Sequence, residues 1–225
     1  MDGNHLQRLI RLTAALGRHP LQSVRYARHL PLWGRTPIDL EIPWFSYGAI
    51  DYLACAITPD WQVFEYGSGG STVFFARRAA HVVCVENDAA WHTKVQEHLQ
   101  RSGLTNVDCQ LHAFGDAEAG HFEALPYFHA LEAGRFNLIV VDGFCGFGTG
   151  RYGKLRPHAF ARACAAVKRP GMVVLDDYWM FPEAPSLAGG VEPEVFEGVG
   201  PCRYGVTSTA VFRFENTSES PVASH

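Results

Sequence analysis

A chain of 225 residues is long enough for one domain with a well-buried core. Hydrophobic residues at 47% and charged residues at 19% exclude a disordered or fibrous chain, and a net charge of -4 disfavours a dedicated nucleic-acid binder. The cysteines Cys55, Cys84, Cys109, Cys145, Cys164 and Cys202 show neither a C-x-x-C pair nor zinc-ligand spacing. No apolar run has signal-peptide or membrane-spanning length, so a reduced cytoplasmic setting is expected.

Residues 1 to about 30 are expected to form one or two short helices. Leu6, Leu9, Ile10, Thr13 and Leu16 recur at helical spacing, and Pro20 interrupts. This stretch is basic: Arg8, Arg11, Arg18, Arg25, Arg28 and Arg35 stand against the single acid Asp2. The pattern reads as a solvated helical face, with an acidic partner or a membrane surface as the alternatives. After Pro31, Pro37 and Pro43, a helix is expected over Trp44–Ile57. Strands are then predicted at Trp61–Tyr66, His81–Glu86, Val107–His112, Phe136–Asp142 and Gly171–Asp176. Helices are predicted between them from Ser71 to about Ala80, Asp88 to about Ser102, near His121–Leu131 and at about Pro157–Lys168. Cys202–Val206 and Thr209–Phe214 have no helix between them and read as an antiparallel hairpin at the sheet edge. The expected fold is α/β: a doubly wound, mostly parallel, seven-stranded sheet with an antiparallel last strand and an N-terminal helical cap. The expected boundaries are a cap at 1–48, the main domain at 49–214 and a polar tail at 215–225.

In such a sheet, ligands bind beyond the carboxyl ends of the strands, at the first strand–helix turn. Here that turn is Glu65-Tyr66-Gly67-Ser68-Gly69-Gly70-Ser71-Thr72. Glycines let the backbone turn sharply and approach a ligand closely. Glu86 ends the second predicted strand, where a carboxylate accepts both hydroxyls of a ribose. Glu65 lies two positions before the first glycine, and a carboxylate there repels a pyrophosphate but favours a cationic guest. Thr72 replaces the third glycine of a dinucleotide fingerprint.

The run E-Y-G-S-G-G-S-T, followed by V-C-V-E, V-V-D-G and V-V-L-D-D, resembles class I S-adenosylmethionine-dependent methyltransferases, a Rossmann-like superfamily, over about residues 44–214. The resemblance implies that Glu65, Gly67, Ser68 and Gly69 surround the methionine part of S-adenosylmethionine and that Glu86 holds the ribose. It places Asp116, in the Phe114-Gly115-Asp116-Ala117 turn, near the adenine.

On the acceptor side, the topology brings Asp142, Asp176 and Asp177 to one edge of the cleft as candidate catalytic groups. This region is similar in part to the catechol-type O-methyltransferases, which bind a divalent cation through Asp, Asp and Asn. Asp177 stands in the Asn position, and Gly143-Phe144-Cys145 replaces the segment that carries their lysine base. A divalent cation is therefore one candidate ligand of the three aspartates; direct contact with a polar substrate or the cofactor amine is the other. Asp142, Asp177, His112 and His121 are the candidate bases. Gly148 to Lys154 mimics a phosphate loop, but Leu155 stands where Ser or Thr belongs. The loop reads instead either as a substrate-facing lid, with Phe144, Phe147 and Tyr152 as apolar contacts and Arg151, Lys154 or Arg156 for an anionic acceptor, or as an ordinary exposed loop. Trp44, Phe45, Tyr47, Tyr178 and Trp179 are candidates to wall the same cleft, with core packing as the equal alternative.

The resemblance implies a methyltransferase acting on a small-molecule acceptor, most readily at oxygen. A nucleic-acid partner is disfavoured, no membrane span is expected, and a homo-oligomer is left open. An aminopropyl or other alkyl transferase of the same fold, and a non-catalytic cofactor-binding partner subunit, remain as alternatives.

Overall fold

Short runs rich in Val, Ile and Phe become the strands β1 (Gln62–Tyr66), β2 (His81–Glu86), β3 (Val107–Leu111), β4 (Leu138–Val141), β5 (Gly171–Asp176), β6 (Glu194–Val199) and β7 (Val206–Phe214). The computed structural model describes residues 3–30, 33–114, 122–144 and 155–216. The strands form one sheet in the order β3-β2-β1-β4-β5-β7-β6. All are parallel except β7, which runs against both β5 and β6. The expected α/β architecture, with its reversed last strand, is present.

One expectation fails at the edge. The strand paired with β7 is Glu194–Val199, not Cys202–Val206. Cys202 sits at φ 54, a left-handed turn that no strand contains. The turn ending in Gly205 closes the hairpin instead.

The helices are α1 (Gly3–Arg18), α2 (Pro20–Arg28), α3 (Pro37–Leu40), α4 (Tyr47–Ala56), α5 (Gly70–Ala76), α6 (Ala89–Arg101), α7 (Pro126–His129), α8 (Leu155–Ala166) and α9 (Ala184–Leu187). Pro20 starts α2 rather than merely ending α1, because a first-turn residue needs no N–H partner. The helix predicted from Trp44 begins only at Tyr47, where the Ser46 hydroxyl accepts the Ala49 N–H.

Strand side chains alternate between two apolar layers. Phe64, Tyr66, Val85, Ile139, Leu175 and Phe212 pack against α7, α8 and α9. Val63, Val82, Leu138, Val140 and Val174 face α4 and α5, with Leu12, Leu16 and Tyr26 of the first two helices on the same side. Burial on both faces explains why β1, β2, β4 and β5 read as nearly unbroken hydrophobic runs.

The order places the switch of winding direction between β1 and β4, where the turn after β1 meets the end of β4. Two glycines make that meeting tight. Gly67, at φ 102, lies so close to Gly143 that a Cβ on it would stand 3.0 Å from the Gly143 Cα. A Cβ on Gly70 would overlap the carbonyl oxygens of Pro37 and Ile42. Gly70→Ala is therefore expected to lower stability by about 1–3 kcal/mol, read as a reduced urea midpoint. A midpoint matching the parent would mean that the α3–α5 junction is looser than this packing.

Candidate functional site

The carboxyl edge of the sheet carries two groups of polar side chains, one on each side of the Gly67–Gly143 contact. The first belongs to β1 and β2. Glu65 is 1% exposed. The Thr72 hydroxyl donates to its carboxylate at 2.7 Å and accepts the Gly69 N–H at 2.9 Å, joining strand, turn and helix. Burial pushes the Glu65 carboxyl up to about 7; hydrogen bonds from Ser71 and Thr72 oppose this, and the charge of Glu86 adds to it. No cation is among the described groups that act on it.

Glu86 is also buried. One of its oxygens accepts the backbone N–H groups of Asn87 and Asp88 at 2.8 and 2.9 Å, and the other accepts the Ser68 hydroxyl at 2.9 Å. The Trp91 indole N–H donates to the Ser68 carbonyl at 2.8 Å, tying α6 over the turn. Glu65, Gly67, Ser68, Gly69 and Glu86 thus lie together at this edge. Asp116 lies outside the described residues, as do His121, Phe147, Arg151, Tyr152 and Lys154. His112 sits at the outer edge, where its ring meets Gln110 at 3.1 Å.

The second group follows β4 and β5. Asp142 lies just past the end of β4, and Asp176 ends β5. Asp177 turns the chain at φ 52. The three aspartates converge as expected, but two arginines lie among them. Arg156, near the start of α8, is buried. Its Nη2 donates to the Gly143 carbonyl at 2.7 Å and the Asp142 carbonyl at 3.2 Å, and its Nη1 to the Asp176 carbonyl at 3.2 Å. It also stands 3.7 Å from the Asp142 carboxylate and 3.6 Å from that of Asp177. Arg203, in the hairpin turn, reaches Asp177 at 3.3 Å and Asp176 at 3.8 Å and lies over the Trp44 ring at 5.1 Å.

These contacts correct two expectations. Arg156 is not a lid cation held ready for an anionic acceptor; its donors are taken up by strand-end carbonyls. Nor does the donor set suit a divalent cation, because two guanidinium groups already stand where its charge would sit. Among the described residues no group of three His, Cys, Asp or Glu side chains is arranged to hold a metal. Arg203 was not singled out from sequence, since only the β5–β7 pairing carries residue 203 to residue 177.

The aspartates also differ from one another. Asp176 is 1% exposed and accepts the Thr209 hydroxyl at 2.6 Å; burial, then Asp142 and Asp177, push its carboxyl well above the usual carboxylate range. Asp142 and Asp177 keep side-chain exposures of 23% and 20%, so both still reach solvent. The Asp142 carboxyl is pushed up to about 7, by desolvation first, with Arg156 opposing it and Glu65 and Asp177 reinforcing it. Thr207 and Arg203 both donate to Asp177, at 3.1 and 3.3 Å. Of the expected aromatic walls, Phe45 and Tyr47 are fully buried core residues, whereas Trp44, Phe144 and Trp179 are exposed around this edge.

No family model matches the chain, and no curated protein matches it. Solved structures do share its fold. An rRNA methylase from Streptococcus thermophilus has 13% identity and a TM-score of 0.51, covering 80% of this chain and 98% of that one. Precorrin 8W decarboxylase from Methanobacterium thermoautotrophicum has 14% identity and a TM-score of 0.55, covering 77% and 94%. Precorrin-6y C5,15-methyltransferase from Geobacter metallireducens has 12% identity and a TM-score of 0.50, covering 73% and 86%. At these identities the likeness is one of fold.

Proposed function

We propose that this chain is an S-adenosylmethionine-dependent methyltransferase acting on a small-molecule acceptor at oxygen. The observation that carries the reading is Glu65: a buried carboxylate beneath a glycine turn, held by the hydroxyls of Ser71 and Thr72 and repelled by the charge of Glu86. Such a group is costly to ionise alone and is stabilised by a cationic guest. A phosphate-bearing dinucleotide is the wrong guest for it. The fold supports the same reading, since two of the proteins that share it are named as methyl-transferring enzymes. The decarboxylase of the same fold is a reminder that chemistry belongs to the site rather than to the sheet.

In this reading Glu65 receives the ammonium of the methionine moiety and Glu86 releases Ser68 to accept the ribose hydroxyls. Gly67, Ser68 and Gly69 let the backbone lie against the guest, and Asp116 belongs to the adenine side. When bound, S-adenosylmethionine supplies a methyl group already activated on its sulfonium, so the protein's share is alignment and proton removal. Asp142 is the base: it opens to the cleft, and a carboxyl near 7 is matched to a hydroxylic acceptor at neutral pH. Asp177 hydrogen-bonds the acceptor, and Asp176 supports the pair from behind. Trp44, Phe144 and Trp179 provide an apolar rim, which suits a compact acceptor with one ring or hydrocarbon face.

The direct test is calorimetric titration with S-adenosylmethionine, then a coupled assay for the demethylated product across phenols, carboxylates, amines and sugars. Tight binding of a nicotinamide or flavin dinucleotide instead would sink the proposal. With an acceptor in hand, Asp142→Asn is expected to lower kcat by about 10²–10⁴-fold while the cofactor Kd changes little. The parent's activity should rise with pH through about 7 as Asp142 loses its proton, and the variant should lack that rise.

A further inference from the structure

The apolar stripe of α1 runs past the body that it packs on. Leu12, Ala15 and Leu16 lie half-buried against the core. One and two turns earlier, Leu6, Leu9 and Ile10 are 63%, 56% and 58% exposed. Leu21 and Val24 on α2 and Trp33 just beyond it are 88%, 55% and 64% exposed. Large apolar side chains in this density on two adjacent helices are unusual for a free surface.

The charge on the same helices has one sign. Arg25 pairs with Asp51, but Arg8, Arg11, Arg18, Arg28 and Arg35 form no ion pair among the described residues. Val24, Arg28, His29, Trp33 and Arg35 line an open groove of about 920 Å³. His29, also in its lining, is held below its ordinary range by burial first and then by Arg25, Arg35 and Arg28. Among the described residues no helix is long and apolar enough to cross a membrane.

We propose that α1, α2 and the Trp33–Arg35 segment form an interfacial docking surface for a bilayer rich in anionic phospholipid. Leu6, Leu9, Ile10, Leu21 and Trp33 enter the acyl boundary while the arginines and the groove meet headgroup phosphates. The charge argues against the other occupants. A second copy of the chain would set five unpaired arginines against five, and a nucleic acid would neutralise the arginines but leave the leucines in water.

The test is co-sedimentation of the full chain with vesicles of phosphatidylcholine alone or mixed with phosphatidylglycerol. Binding should need the anionic lipid and weaken as salt rises. Arg8→Gln/Arg11→Gln/Arg18→Gln should cost on the order of a hundredfold in affinity, at roughly fivefold per arginine. Leu6→Gln/Leu9→Gln/Ile10→Gln should cost about tenfold or more, with thermal melts of both variants unchanged because these side chains already face water. Absence of vesicle binding overturns the proposal, as does equal binding by either variant. So does a concentration-dependent dimer that the leucine variant abolishes, or RNA capture that the leucine variant leaves intact.

Discussion

Glu65→Gln is expected to weaken S-adenosylmethionine binding by tenfold or more and, at the same time, to stabilise the empty fold above neutral pH. Both effects come from one carboxylate. In the folded chain burial raises its pKa to about 7, against 4.5 as its ordinary value. A raised folded pKa means that the fold prefers the protonated form. That preference is fully present below about pH 4.5 and is lost as pH rises through about 7. Over that window the raised pKa amounts to about 3 kcal/mol, in the direction of lower stability at high pH. Glutamine never ionises, so the variant should melt higher than the parent at pH 8 and alike at pH 4. A guest ammonium works the other way, drawing the proton off Glu65. Binding to the parent should therefore release protons, and affinity should rise between about pH 5 and pH 7. Calorimetry in buffers of different ionisation enthalpy counts those protons. If Glu65→Gln binds as tightly as the parent with the same proton count, the cation-binding role of this carboxylate is wrong.

Arg156→Ala should be the most damaging change to the fold among the charged residues of this edge. The side chain serves the Gly143, Asp142 and Asp176 carbonyls and stands between two carboxylates. Removing it leaves buried carbonyls without this donor and three aspartates with Arg203 as the one remaining described cation among them. Losing one partner of a buried charged network costs about 3–5 kcal/mol, a large part of the roughly 5–15 kcal/mol that holds a typical domain. Arg156→Lys should recover little, because an ammonium cannot span carbonyls on two strands as a planar fork does. Urea denaturation reads both, and a loss below about 1 kcal/mol for the alanine variant would show that water replaces the guanidinium.

Much of the architecture was legible because it is local. The β2 and β5 runs, His81–Glu86 and Gly171–Asp176, were marked to the residue by apolar side chains closed by an acid. The Gly67–Gly70 turn is marked less by its glycine spacing, which many turns share, than by Glu65 before it and Glu86 at the end of the next strand. Edge structure was harder to read. Strand β6, E-V-F-E-G-V, carries two glutamates and a glycine and is largely exposed, so its alternation is faint, whereas Cys202–Val206 looked stranded but holds a left-handed turn. Phe45 and Tyr47 read in sequence as cleft or core alike, because aromatic residues serve both, and the structure buries them in the core. Which aspartates open to the cleft depends on Arg156, Arg203 and Thr209, at distances of 14, 26 and 33 residues along the chain from their partners. No local pattern encodes such partners.

The direction of β7 bears on where to look in other chains of this shape. Functional residues of parallel strands sit just after them, because that is where each strand leaves the working edge. A strand that runs the other way arrives there first, so its contribution comes before it or in its opening residues, as Arg203, Thr207 and Thr209 do. Scanning only downstream of each strand overlooks such residues by construction.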